Sequence, residues 1–304
     1  MRYEVQLLRK RTLMNIRKNT LLLTPLLAII LLMSAQTELS AQIQEPEVIQ
    51  PQRDLVVLSD EYNSGFGFGI NMNNFGFGIA GEYRRVIGPQ SELMFKLGIT
   101  GLRDESEQTF TDYFFGQQIV PNKFQRGMAF PLMAGFRQRV FPEVIQENYR
   151  FFVSASAGPV VAFTYPYFDD VNGNGYRETG NEYEIFEQDG DLFIRYAQPE
   201  RVNDIFSGMG DGDWHWGAAG EFKVGVDIGR NFSRLNSIEF GYYFYYFTDG
   251  IQMMQPNQPV IQQRTGPNQS PYVWENGQLV TEEFFEPQKF FGTPQITFTF
   301  GWLW

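Results

Sequence analysis

The sequence predicts an all-β protein: an eight-stranded antiparallel up-and-down transmembrane β-barrel with a filled polar interior and long outer loops. Three observations carry that expectation. Eight stretches place a large apolar residue at every second position, the chain opens with an export-type segment, and the links between stretches alternate in length. A strand turns successive side chains to opposite faces, so each stretch has one oily side and one small or polar side. A soluble sandwich would turn the oily sides into a core. The 30 Phe, 15 Tyr and 5 Trp exceed what such a core needs. No run beyond the opening segment approaches the ~20 residues of a spanning helix. The oily sides are therefore read as facing lipid.

Arg9, Lys10, Arg11, Arg17 and Lys18 precede an apolar run from Leu21 to Met33 broken only by Thr24 and Pro25, and small residues follow to Leu39-Ser40-Ala41. Basic, apolar, then small is the layout of a secretory signal. Residues 1–41 are expected to be removed near Ala41-Gln42, with Met14 as an alternative start. Their loss takes six basic and two acidic residues from totals of 24 and 35, leaving a net charge of −15. Such a surface repels nucleic acid. With no Cys, neither disulfides nor a lipid-modified cysteine is available.

A polar lead, residues 42–63, is expected on the periplasmic side, and the barrel occupies residues 64–304. The first strand, Gly65–Met72, sets Phe66, Phe68, Ile70 and Met72 against glycines and Asn71, and Asn73-Asn74 turns the chain. The second, Phe75–Val86, is read with Phe75, Phe77, Ile79 and Tyr83 outward and Glu82 and Arg84 inward. The third, Glu92–Leu102, sets Leu93, Phe95, Leu97 and Ile99 against Glu92, Lys96 and Thr100. The fourth, Gly127–Val140, turns Arg137 and Arg139 in. In the fifth, Arg150–Tyr165, Pro159 suggests a bulge or a weak end of the ladder. The sixth, Trp214–Ile228, carries Glu221, Lys223 and Asp227 inward, and the seventh, Ser237–Phe247, carries Glu239, Tyr243 and Tyr245. The eighth, Lys289–Trp304, ends in the clearest alternation: Ile296, Phe298, Phe300, Trp302 and Trp304.

Links after strands two, four and six are short, while those after three, five and seven (about 103–126, 166–213 and 248–288) are long; the short link after strand one is the exception. Short periplasmic turns and long outer loops are the asymmetry of an outer-membrane barrel. The inward set gathers Glu82, Arg84, Glu92, Lys96, Arg137, Arg139, Glu221, Lys223, Asp227 and Glu239, five acids and five bases. An eight-stranded barrel is just wide enough for side chains to fill, and buried charges must be paired. The interior therefore reads as ion pairs, without a wide pore.

Taken together, the opening segment, the eight alternating strands, the charged interior and the terminal aromatic strand resemble the eight-stranded outer-membrane barrels of the OmpA/OmpX type. The Leu-Ser-Ala-Gln junction and acidic loops are similar to exported proteins of the Bacteroidota. The resemblance implies the outer membrane of a Gram-negative cell and contact with its lipid. It also implies recognition of Phe300, Trp302 and Trp304 by the barrel-assembly machinery. That superfamily includes adhesins, small-molecule channels, lipid-modifying enzymes and structural proteins, so fold alone chooses none of them.

The sharpest local motif runs from Asp170 to Glu182. Asp170, Asn172 and Asn174 stand at positions one, three and five of a calcium-type loop, Gly175 at six, Tyr176 at seven and Glu178 at nine. Asn181 stands at twelve, where a bidentate acid is usual, and Glu182 comes one residue late. An Asn/Gly-rich turn is the plainer account. Beyond it, Tyr183–Glu187 and Leu192–Tyr196 flank an Asp-Gly turn and predict a two-stranded ribbon. The loop at about 166–213, third when the link after strand one is counted as the first, holds twelve acids and three arginines, a net of −9, which suits a cation, a partner surface or simple solvation. His215, the one histidine, lies near Ser207, Asp211 and Asp213, but alternation makes it a rim residue rather than a base. The expected role is a non-enzymatic structural or loop-binding component with an envelope or extracellular partner. The alternatives are a narrow solute channel, a lipid-modifying enzyme and an accessory of an export complex.

Overall fold

In the computed structural model the described residues are 57–112, 117–142, 148–178, 182–188, 191–197, 200, 202–229, 233–263 and 270–304. The predicted export segment, and the lead as far as residue 56, lie outside them. Eight strands close into a barrel: β1 (Ser64–Asn73), β2 (Gly76–Gly88), β3 (Ser91–Leu102), β4 (Gln125–Arg139), β5 (Tyr149–Pro166), β6 (Asp213–Ile228), β7 (Leu235–Ile251) and β8 (Gln288–Leu303). Each pairs antiparallel with its neighbours in sequence, and β1 pairs with β8 from Gly65↔Leu303 to Asn73↔Gln295 to close the ring. Closure leaves no unpaired edge, which is what a strand needs to survive in hydrocarbon.

One end carries the start of β1, the end of β8 and the links at 89–90, 140–148 and 229–234. The other carries the two-residue link 74–75 and loops 103–124, 167–212 and 252–287. At ~3.3 Å per residue and a tilt near 40°, the 18 residues of β5 rise roughly 45 Å, well beyond the hydrocarbon of a bilayer. The ends of the tallest strands therefore reach the headgroup regions.

Three local features differ from the alternation. Phe75 is not outward: Asn73 Oδ1 accepts the Phe75 amide at 2.9 Å and Gly76 takes φ 117, so the alternation restarts at Gly76. Phe75 then turns over the mouth, its ring 6.4 Å from Tyr245 and 6.5 Å from Phe291. Pro159 makes no bulge, since it pairs with Ala218 in unbroken register. Instead the β4–β5 ladder keeps its register but lacks pairs between Pro131↔Val160 and Ala134↔Ala157. Two prolines without N–H groups remove the donors there, and Gly158 lies so near β4 that a Cβ would be 2.1 Å from Leu132 O. The register shifts fall elsewhere, between Val86 and Gly88 of β2 and between Tyr246 and Ile251 of β7.

The third difference is a one-turn helix, α1 (Leu58–Glu61), ahead of β1. Its Leu58 amide donates to Pro89 O at 3.0 Å, and its side chain, fully buried, packs on Val86 and Leu303. Nothing in the alternation of the strands announces it.

Candidate functional site

The outer wall comes first, because it decides where the site lies. Every strand turns large apolar side chains outward: Phe77 is 74% exposed, Leu97 60%, Phe222 58% and Phe240 53%. The same row runs along β1 from Phe66 to Met72 and along β8 from Ile296 to Trp302. A continuous apolar wall of this extent is far beyond the few hundred Å² that a soluble monomer leaves bare. Among the described residues no helix is long and apolar enough to cross a membrane. The chain is a membrane-spanning β-barrel.

Inside, the ten charged residues Glu82, Arg84, Glu92, Lys96, Arg137, Arg139, Glu221, Lys223, Asp227 and Glu239 are each at most 4% exposed. Eight of them form one alternating ladder. Lys96 Nζ meets Glu221 at 2.7 Å, and Lys223 meets Glu221 at 3.3 Å and Glu239 at 2.5 Å. Arg137 then bridges Glu239 at 3.1 Å and Asp227 at 3.4 Å, and Arg139 bridges Asp227 at 3.1 Å and Glu92 at 3.4 Å. Arg84 pairs with Glu82. Ser156 and Ser237 donate to Glu221 and Asp227 at 2.8 and 2.6 Å. The Arg137 guanidinium stacks on the Phe152 ring, 3.3 Å from its centroid. Alternation of sign is what makes ten buried charges tolerable at low dielectric.

This ionic filling occupies the half of the lumen nearer the short links. Toward the long loops the filling turns apolar and aromatic: Tyr243, Tyr245, Phe247 and Phe291 come from the wall and Met253 from the fourth loop, all at most 4% exposed. The amides of Phe124 and Gln125 donate to Met253 O at 2.9 and 3.1 Å, and Gln255 N donates to Asn122 O at 2.8 Å. The second loop thereby pins the fourth into the mouth. Lys96 over the Tyr243 ring, at 5.3 Å, joins the two layers. Alternation placed Tyr243 and Tyr245 inside, but it gave no sign that the fourth loop would supply Met253. At the opposite end Leu58 packs on the inward Val86 and Leu303.

What remains available is the loop surface. Two of its segments answer to sequence motifs. Glu182–Gln188 pairs with Asp191–Ala197, joined by Gln188↔Asp191, as a ribbon. Ahead of it, Asp170 to Glu178 winds into a tight turn with Gly173 and Gly175 at φ 68 and 71. Gly175 N donates to Asp170 Oδ2 at 2.9 Å, Asn174 N to Asn172 Oδ1 at 3.0 Å and Tyr176 N to Asn174 Oδ1 at 2.8 Å. Asn172 and Asn174 each donate a side-chain N–H to Glu178 Oε1, at 2.8 and 3.1 Å. Asp170 Oδ1 is buried without a hydrogen-bond partner. Asn181 lies outside the described residues, and Glu182 opens the ribbon.

Sequence spacing missed Glu200, which is 2% exposed and accepts the Glu178 amide at 2.5 Å. Burial pushes its carboxyl up, helped by the nearby Asp170 and Glu178 charges. Among the described residues no three acidic or histidine side chains are gathered closely enough to hold a metal by themselves. A cation in this turn would therefore draw on the asparagine amides and a main-chain carbonyl as well.

Structure separates the residues once grouped around His215. Its Nε2 lies 2.9 Å from Thr164 Oγ1 on the rim, whereas the Ser207 amide donates to Asp204 Oδ1 in an exposed turn. Asp211 sits in a short 3-10 turn, and Asp213 pairs across to Thr164. At the barrel seam Trp302 lies 5.9 Å from the Phe66 ring, Phe300 is outward, and Trp304 exchanges backbone hydrogen bonds with Ser64 at 2.8 and 3.1 Å.

No family model and no curated protein matches the chain. Solved structures do. The N-terminal β-barrel domain of Pseudomonas aeruginosa OprF is similar at 8% identity and TM-score 0.33, over 80% of this chain and 98% of that one. Yersinia pestis outer membrane protein Ail, in a phospholipid nanodisc, is similar at 9% identity and TM-score 0.32, over 80% and 100%. Neisserial surface protein A is similar at 7% identity and TM-score 0.28, over 78% and 91%. The closed ring and its apolar wall establish the fold without them.

Proposed function

We propose that this protein is an outer-membrane component that acts through its long loops as a structural or binding surface, without a conducting pore or a catalytic centre. One observation carries the reading: the lumen is packed with buried side chains, ionic toward the short links and aromatic toward the long loops, where Met253 enters from the fourth loop. A barrel filled in this way has only its two faces and its wall to offer a partner. The third and fourth loops are much the larger of those faces. Planar-bilayer recording tests the reading, and a steady, reproducible conductance from the folded protein would overturn it in favour of a narrow channel. Cross-linking on intact cells, followed by recovery through the loops, identifies the envelope or extracellular partner. An outer-membrane address fits the export-type segment, and the exposed Phe300, Trp302 and Trp304 fit recognition by the barrel-assembly machinery.

The turn Asp170–Glu178 is the cation site of this reading, with calcium as its ion. The favouring observation is that Asp170 turns one oxygen to the Gly175 amide and leaves the other buried without a partner. Asp170, Asn172, Asn174, the Tyr176 carbonyl and Glu178 are the ligands, with Asn181 or Glu182 closing the shell. Removing calcium with a chelator is expected to loosen the third loop and speed its cleavage by protease; an unchanged digestion pattern would remove the ion from the account.

A further inference from the structure

Along most of the wall, outward positions are bare, but the rim above β5 is not. Tyr165 stands two residues beyond the outward Phe163, so alternation turns it outside, yet it is only 4% exposed. The stretch Asn203–Gly212 of the third loop begins beside it, where the Asn203 amide donates to Tyr167 O at 2.9 Å. Arg126 of β4 pairs with Tyr165 across the ladder, and its guanidinium lies 6.0 and 4.7 Å from the Tyr165 and Tyr167 rings. The same guanidinium donates to Asp204 O at 2.7 Å and Asn203 O at 2.8 Å. Farther along, Gly208 holds a left-handed φ of 79, and a Cβ there would crowd Pro166 O at 3.2 Å. A Cβ on Gly212 would lie 2.3 Å from the outward ring of Phe163. All these anchors are on the rim or on the lipid side of the wall. The stretch is therefore anchored to the outer rim, beside the wall.

Its tip is a hydrogen-bonded, apolar turn. The amides of Phe206 and Ser207 both donate to Asp204 Oδ1, at 2.8 and 2.7 Å, and the turn so formed leaves Ile205 63% and Phe206 78% exposed. Beside it on the wall lies an aromatic patch: the Trp214 ring is 4.8 Å from Phe163 and 6.1 Å from Phe130, and Trp216 follows on the same face. Aromatic residues collect where a barrel meets the headgroups, because each ring has an apolar body and, in Trp and Tyr, a polar tip.

We propose that the Asp204–Ser207 turn is a lipid-binding collar. Ile205 and Phe206 enter the leaflet on the long-loop side, at the boundary of headgroups and acyl chains, and continue the apolar wall past the ends of the strands. Asp204, with its Oδ1 committed to two amides, fits that boundary and not the hydrocarbon centre. The collar ties the base of the acidic third loop to the membrane and fixes the height at which its ribbon stands. It rests on the barrel crossing a bilayer and not on which side of the cell the loops face.

The absence of native cysteine makes spin labelling clean. Phe206→Cys and Ile205→Cys would carry a nitroxide in barrels folded into phosphatidylcholine vesicles. Leu97→Cys on the wall is the lipid reference and Val171→Cys, 75% exposed in the loop, the water reference. The measured quantity is the ratio of collisions with oxygen to collisions with a water-soluble nickel chelate. At 205 and 206 the ratio is expected to be several-fold above that at 171 and to approach that at 97. Ratios at both sites equal to that at 171 would overturn the collar. An aqueous ratio at 97 would instead overturn the membrane crossing itself, so the two failures are distinguishable. Heat-dependent gel mobility confirms that each labelled variant is folded.

Discussion

Glu239→Gln tests the ionic ladder at a carboxylate that joins Lys223 to Arg137. Glu239 meets Lys223 at 2.5 Å and Arg137 at 3.1 Å, and it accepts from Thr299 Oγ1 at 3.4 Å. Glutamine keeps the volume, so no cavity opens; the change removes the charge and puts an NH2 donor in place of one acceptor oxygen. The interior passes from five acids and five bases to a net of +1. Removing one member of a buried pair costs about 3–5 kcal/mol, because the partner is left desolvated and unpaired. Here the lower end applies, since Lys223 keeps Glu221 at 3.3 Å and Arg137 keeps Asp227 at 3.4 Å. A loss of about 3 kcal/mol is expected. The assay is urea unfolding of barrels folded into vesicles, followed by tryptophan fluorescence and by the mobility of unheated samples on gels. Adding Lys223→Met restores neutrality, and the double variant should be more stable than Glu239→Gln alone. A single variant within about 0.5 kcal/mol of the native protein, or a double variant with no recovery, would refute the claim that paired charge holds this half of the lumen.

Two further outcomes follow from the ends of the barrel and from the third loop. Leu58→Asp puts a charge into the socket of Val86 and Leu303. It is expected to free Val57–Tyr62 for protease without giving conductance, because the aromatic filling at the far mouth is untouched; current through this variant would show that filling to be permeable. Without calcium, the third loop should resist protease better as the pH falls. Burial, with Asp170 and Glu178 nearby, raises the Glu200 carboxyl above its ordinary value of 4.5. Its contribution to loop stability is then fully present below about 4.5 and is lost as pH rises through the raised value. The check is digestion rate against pH in native protein and Glu200→Gln, in which the dependence should flatten.

The strands were legible because the period-2 signal in this chain is redundant. Phe66 to Met72, Leu93 to Ile99 and Ile296 to Trp304 each give several alternations, and the inward charges fall on the opposite parity. Parity cannot see where a turn redirects the backbone. Phe75 kept its place in the alternation and lost it in space, because Gly76 at φ 117 lies between it and the rest of β2. Nor can parity see what enters the lumen from outside the strands: Leu58 precedes β1 and Met253 follows β7, and each is buried by contacts distant in sequence. Spacing marked Asp170 to Glu178 but not Glu200, which joins that turn only because the loop returns to it.

The two layers of the lumen follow from what each part of the chain can supply. Near the short links, the eight strands alone must fill the barrel. There the long, flexible Arg, Lys and Glu side chains reach across the axis, and they are tolerated only with signs alternating around the ring, from Lys96 through Glu221, Lys223, Glu239, Arg137, Asp227 and Arg139 to Glu92. Near the long loops the chain itself can fold back, and Met253 and Phe75 join Tyr245, Phe247 and Phe291 in an apolar filling with no charge to pair. Displacing the fourth loop from the mouth would expose that apolar set to water. Any partner that docks on these loops must therefore leave the Gln252–Gln255 segment in place or cover the surface it vacates. The third loop above its base remains available without that cost.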